Sequence, residues 1–321
     1  MKSTTALILF AATLALFLAG CGAKDIPDGT VVSIIYSSDV RGKLEGCGCQ
    51  NSGGGVARRS GEVVKAQEED PSVVFCDAGN FMSGTPEVDK SKGAVAVEVY
   101  NQMKANVVNV SERELAFGMD AFNAAKKDAK FDFVSANLRH KGAMVAQPFT
   151  VKKVKEARVA FIGLCGSKDL MRYDSLTLPA EVSVEDPVAE TRRAIVSLEK
   201  KADLIVVLST CGDAMDSLLA LNVPGIDLII GGRTFRPNVT APWVLGKTRV
   251  VRTPRDGRSM GRMDMVFGPD AKIKTYSATA LNTTVSGPVD AKMVALVKKY
   301  IPNYSDAPAE QVSNAGTSAA K

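Results

Sequence analysis

Apolar residues along this chain fall into two patterns that alternate. Short runs rich in Val and Ile are apolar at nearly every position. Between them lie longer stretches whose apolar positions recur every three or four residues. The first pattern marks strands buried on both faces, the second helices with one buried face. Strands are therefore predicted at 31–36, 72–76, 107–110, 133–136, 159–164, 204–208 and 228–230. Helices are predicted at 56–67, 94–104, 119–127 and 187–200. After Gly232 the pattern turns to strands at 248–252, 262–267 and 272–278, followed by a last helix at 291–300. Alternating helices and fully apolar strands predict a layered α/β domain over 30–304, with no internal repeat.

The ends of the chain read differently. Lys2 precedes an apolar stretch from Ala6 to Leu18, too short to span a bilayer comfortably. Leu18-Ala19-Gly20-Cys21 follows, with small residues ahead of a cysteine. This resembles the lipobox of bacterial lipoproteins, which implies a signal peptide over 1–20, cleavage before Cys21 and a lipid on its thiol. An ordinary secretory signal with an incidental cysteine is the alternative. Gly22 is not the aspartate of an inner-membrane retention signal. The expected place is thus the cell envelope, facing the periplasm and anchored in the outer rather than the inner membrane. Residues 21–29 read as a tether, and 305–321, poor in large apolar residues, as a disordered tail.

Charge narrows the partners. The formal net charge of +5 is spread along the chain, and no arginine-rich stretch carries interleaved aromatics. Nucleic acid is therefore excluded as the expected partner. One histidine, His140, is present; it follows a predicted strand and is expected in an exposed loop.

The predicted strand ends carry an ordered series of polar motifs. They are Asp39-Val40-Arg41-Gly42, Gly54-Gly55-Val56-Ala57-Arg58, Asp77-Ala78-Gly79-Asn80, Ser111-Glu112-Arg113-Glu114, Ser209-Thr210, Gly231-Gly232-Arg233-Thr234-Phe235 and Asp256-Gly257-Arg258. Over residues 30–282 this series resembles the catalytic domain of the 5′-nucleotidase branch of the calcineurin-like metallophosphoesterases. The resemblance implies a four-layer α/β/β/α sandwich with its site at the strand ends. It also implies two divalent metals that clamp the attacking and leaving oxygens, held by an Asp-x-His pair, a bridging Asp, an Asn and three later histidines. A histidine beside the Asn would be the catalytic group.

Carried over residue by residue, the metal pattern fails. Asp39 is retained, but Arg41 stands for the paired His and Asn80 for the bridging Asp. Glu112 replaces the Asn, and Arg113 replaces the catalytic His. Thr210, Arg233 and Phe235 stand for the late histidines. Arginine stays protonated and has no lone pair to donate, so no metal cofactor is expected. A single weak Mg²⁺ or Ca²⁺ on Asp39, Asn80 and Glu112 is the alternative. Arg41, Arg113 and Arg233 admit two readings. In one they form a buried salt-bridge network with Asp39, Glu112 and Asp77. In the other they make a metal-free site for a small anion.

Cysteine supplies a second candidate chemistry. Cys76 and Cys165 flank apolar strands and are expected buried and inert. Cys47-Gly48-Cys49 lies in the loop after Asp39, and Cys211 follows Thr210. These three are expected at one site mouth, either as a loop-stapling disulfide or as a redox site with an activated thiol. The segment also resembles Cys-Gly-Cys-containing bacterial relatives of nucleotidases, which implies a redox partner. Nucleotidases usually add a nucleoside-gripping domain beyond this point, so nucleotide specificity is in doubt. Three functions follow as expectations: a degenerate, non-phosphatase protein acting in binding or thiol redox, a residual metal-dependent hydrolase, or a thiol-redox enzyme.

Overall fold

The computed structural model describes residues 26–46, 54–167, 177–198 and 201–305. The expected signal peptide, Cys21, Cys47, Cys49 and most of the predicted tail lie outside these residues.

The strands are β1 (Val31–Ser37), β2 (Val74–Asp77), β3 (Val107–Asn109), β4 (Asp132–Val134), β5 (Leu138–His140), β6 (Ala143–Met144), β7 (Phe149–Val154), β8 (Ala157–Leu164), β9 (Val182–Val184), β10 (Leu204–Ser209), β11 (Leu228–Gly231), β12 (Trp243–Leu245), β13 (Thr248–Arg252), β14 (Gly261–Phe267) and β15 (Ile273–Ala280). The helices are α1 (Val56–Glu69), α2 (Pro86–Lys90), α3 (Ala94–Gln102), α4 (Gly118–Asp128), α5 (Pro187–Leu198), α6 (Asp213–Asn222) and α7 (Ala291–Lys298).

Two six-stranded sheets stack face to face. The first runs β15-β14-β1-β2-β3-β4, the second β12-β13-β11-β10-β8-β7. Strands β1 to β4 are mutually parallel, as are β8, β10, β11 and β13. Alternation along β1 shows how the layers form. Val32, Ile34 and Tyr36 face the second sheet, where they meet Phe161, Val206 and Ile230. Ile35 faces the other way, into a core shared with Val63 of α1, Val99 of α3, Phe122 of α4 and Val297 of α7. The second sheet's outer face packs Ile162, Val207 and Ile229 against Ala194 of α5 and Leu219 of α6. The layering is thus α/β/β/α, as the resemblance implied. Parallel strands in one sheet end on one edge, and this delivers the polar motifs to a common place.

Two expectations need correction. Residues 26–29 do not behave as a tether: Ile26 is buried between the sheets, and Lys274 reaches Asp28 at 2.7 Å. His140 is not in a loop. It ends β5 in a small sheet ordered β6-β5-β9, half-buried, with Glu181 at 3.4 Å.

Candidate functional site

Strand ends at this edge turn sharply, and the turns leave a backbone signature. Asp39, Arg41, Asn80, Arg233 and Asp256 all have positive φ, between 49° and 70°. Non-glycine residues rarely adopt this conformation, and such strain collects at functional sites. The turns bring Asp39, Asn80, Glu112, Arg113 and Arg233 together at the top of the sandwich.

Asp39 is buried, and its carboxylate is met by the protein's own donors. The Asn80 side-chain amide donates to Oδ1 at 2.8 Å. The backbone N–H of Arg233 donates to Oδ2. This approach needs glycine at 232, where a Cβ would stand 2.9 Å from Asp39 Oδ2. Glu112 is fully buried, and the Arg233 guanidinium pairs with its Oε1. The Ser111 hydroxyl donates to Oε2 and lies 2.8 Å from the Thr210 hydroxyl. Burial pulls the Arg233 guanidinium below its ordinary pKa; Asp39 opposes that shift and Arg41 adds to it. A lowered arginine still stays protonated near neutrality.

Arg41 and Arg113 also make contacts away from these two carboxylates. Arg41 pairs with Asp256 at 3.9 Å, and its side chain keeps a quarter of its exposure. Arg113 is buried and donates to the Ser83 carbonyl at 3.2 Å. Asp77 accepts hydrogen bonds from the hydroxyls of Ser37 and Tyr100 and from the Gly79 N–H, so it stands outside the expected arginine network. Burial pushes its carboxyl up to about 6. Phe235 does not enter the site: it is 86 % exposed. Thr210 lies beneath the site, bonded to Ser111 and to the Gly166 N–H.

Some site residues were missed in the sequence. Glu114 is buried and accepts from the backbone N–H groups of Asn80, Phe81, Met82 and Ser111, which ties two strand-end loops together. Burial pushes its carboxyl up to about 7 against those donors. Arg252 is fully buried, paired with Asp213 and Asp216 and stacked on Trp243. Glu114 stood within a quoted motif without a role assigned to it, and Arg252 ends a predicted strand with no partner that local spacing reveals.

Of the expected sulfur cluster only Cys211 lies among the described residues. Cys211 is buried with its thiol directed at the Cys165 carbonyl, 3.4 Å away. Burial and the Asp216 charge push that thiol up, not down as an activated nucleophile requires. Cys165, also buried, is pushed up to about 12. Cys76, Cys165 and Cys211 carry free thiols.

No protein-family model matches the chain. Human 5′-nucleotidase is 26% identical over 314 residues, which span 85% of this chain and 54% of that protein. The chain thus spans about half the length of the curated relatives it matches. A 5′-nucleotidase precursor from Thermus thermophilus superposes with a TM-score of 0.74 at 23% identity, over 85% of this chain and 59% of that one. The calcineurin-like phosphoesterase YfkN of Bacillus subtilis superposes at 0.70 with 19% identity, over 86% of this chain and 98% of that one. The chain is thus similar in sequence to 5′-nucleotidases and has the fold of calcineurin-like phosphoesterases.

The described residues do not offer the donor set that two metals need. Among the described residues no three His, Cys, Asp or Glu side chains converge as ligands. Asn80 directs its amide N–H₂ at Asp39 and receives the Arg113 N–H on its oxygen at 3.4 Å. Glu112 is held by Arg233 and Ser111. A guanidinium fixed on Glu112 repels the dication that imidazoles would attract. The single-ion alternative on Asp39, Asn80 and Glu112 meets the same obstacle.

Proposed function

We propose that this chain is a degenerate 5′-nucleotidase-like lipoprotein of the cell envelope, without two-metal phosphatase activity, that acts by binding. One observation carries this reading. Arg233 places its guanidinium on Glu112 and its backbone N–H on Asp39, where metal charge would have to sit. Hydrolysis of a phosphate ester needs an activated water and a clamp on the leaving oxygen. Among the described residues Asp39 and Glu112 are both already held by donors, and no imidazole lies beside them. The binding role is favoured over thiol redox because Cys211 is buried and its thiol is held in the neutral form. A lipid on Cys21, with the domain facing the periplasm, completes the reading.

The test is direct. Protein purified without chelator is analysed for bound metal, then assayed on 5′-nucleotides and p-nitrophenyl phosphate with Mn²⁺, Zn²⁺, Co²⁺ or Mg²⁺. The expected result is no stoichiometric metal and no turnover above background. Turnover that disappears in Asp39→Ala would establish the residual-hydrolase alternative instead.

A further inference from the structure

The loops that follow β11 and β13 meet above the arginine-closed centre. Phe235 has the highest exposure, 86 %, of the large apolar side chains among the described residues. The Arg255 guanidinium lies over its ring, 5.4 Å from the centroid. Arg236, next in the chain, is exposed. Asp256 stands between Arg41 at 3.9 Å and Arg258 at 3.8 Å, and Arg258 is 64% exposed. The rim is anchored: Asp256 donates its backbone N–H to the Asp39 carbonyl at 2.9 Å, and Arg236 donates its own to the Thr234 hydroxyl at 2.8 Å. An exposed aromatic ring is thus set among the guanidiniums of Arg41, Arg236, Arg255 and Arg258, which among the described residues outnumber the nearby carboxylates of Asp256 and Asp213, the latter 3.3 Å from the Thr234 hydroxyl.

We propose that this rim binds an acidic polypeptide segment of a partner protein, with an apolar side chain of the partner seated on Phe235. The proposal rests on the reading of the chain as a binding protein and names its partner class. Aromatic and arginine side chains together are what the energetic centres of protein interfaces are made of. The guanidiniums are strung along two loops instead of converging on one point, which suits carboxylates spaced along a peptide better than a single phosphate. A lipid surface fits less well. Phe235 is the one large exposed apolar side chain of these loops among the described residues, and the guanidinium over its ring would lose water if the ring entered hydrocarbon.

A random peptide display library is the probe, screened at low salt against the detergent-solubilised full chain. Selected peptides should be enriched in Asp and Glu around an aromatic or aliphatic residue. Their affinity should fall at least tenfold in Phe235→Ala and in Arg255→Gln, and should weaken as salt is raised. Thermal melts establish that both variants fold. The proposal is overturned if no peptide is selected, if the selected peptides lack acidic excess, or if they bind the variants as tightly as the wild type. It is also overturned if the Cys21→Ser chain binds phosphatidylglycerol vesicles through Phe235 while no acidic peptide is selected. Each of these results leaves the hydrolysis assay, and the reading it tests, untouched.

Discussion

At the scale of single residues, Arg233 stands in for the charge that would hold this site together. Two buried carboxylates, Asp39 and Glu112, come from different strand ends and need positive charge between them. Arg233→Ala removes it and leaves Glu112 buried without its counter-ion. Breaking a buried pair from one side costs about 3–5 kcal/mol, whereas removing both charges costs far less. Chemical denaturation should show that loss in Arg233→Ala and a partial recovery in the Arg233→Ala, Glu112→Gln double variant. A loss below about 1 kcal/mol, as expected of an exposed pair, would contradict the buried bridge.

Asp77 makes a separate prediction. Burial raises its carboxyl from 3.8 to about 6, although the Ser37 and Tyr100 hydroxyls favour the anion. The folded state therefore holds a proton that the unfolded chain has released. The associated stability is fully present below the unfolded pKa and is lost as pH rises through about 6. A rise of this size corresponds to roughly 3 kcal/mol. Asp77→Asn keeps the shape and removes the titration. Relative to this variant, wild type should weaken between about pH 4 and 7 in urea melts taken across pH. Parallel stability curves would refute the raised value.

Elements carry the next level of argument. β8 crosses close to β3 and β4, and Gly163 makes the crossing possible: a Cβ there would lie 2.4 Å from the Val134 carbonyl and 2.5 Å from the Asn109 side chain. Asn109 uses its amide to bond both Ala78 and Leu164 carbonyls, so it bridges the two sheets at the edge that holds the site. Gly163→Ala should wedge the sheets apart and destabilise the domain by about 1–3 kcal/mol. A melting temperature unchanged from wild type would show that the crossing relaxes without cost. The central strands were legible because β1, β8, β10 and β11 are apolar on both faces. The strands β5, β6, β7, β9 and β12 and the helices α2 and α6 were not. They are brief or weakly periodic, so local sequence does not mark them.

At the scale of the whole molecule, two sheets and two helical layers give a stable frame on which a site can change its chemistry while the fold persists. The chain's proposed address is a separate, testable property. Cys21→Ser should move the protein from the membrane fraction to the soluble periplasmic fraction. Wild-type protein found already soluble there would end the lipoprotein reading.

By itself the sequence determined the alternation of strands and helices, the order of the polar motifs at the strand ends, and the residue types those motifs carry. Those are properties of residue type and local period, and they need no partner to be read. Only the tertiary structure decided where each charge goes. It set Arg233 on Glu112, sent Arg41 to Asp256 and Arg113 to the Ser83 carbonyl, and left Phe235 in solvent. It also buried Cys211 beside Asp216, which reverses the thiol chemistry that its place next to Thr210 suggested. The physical reason is that the pairing of a long charged side chain and the desolvation of a thiol depend on neighbours tens to hundreds of residues away, which local sequence does not encode.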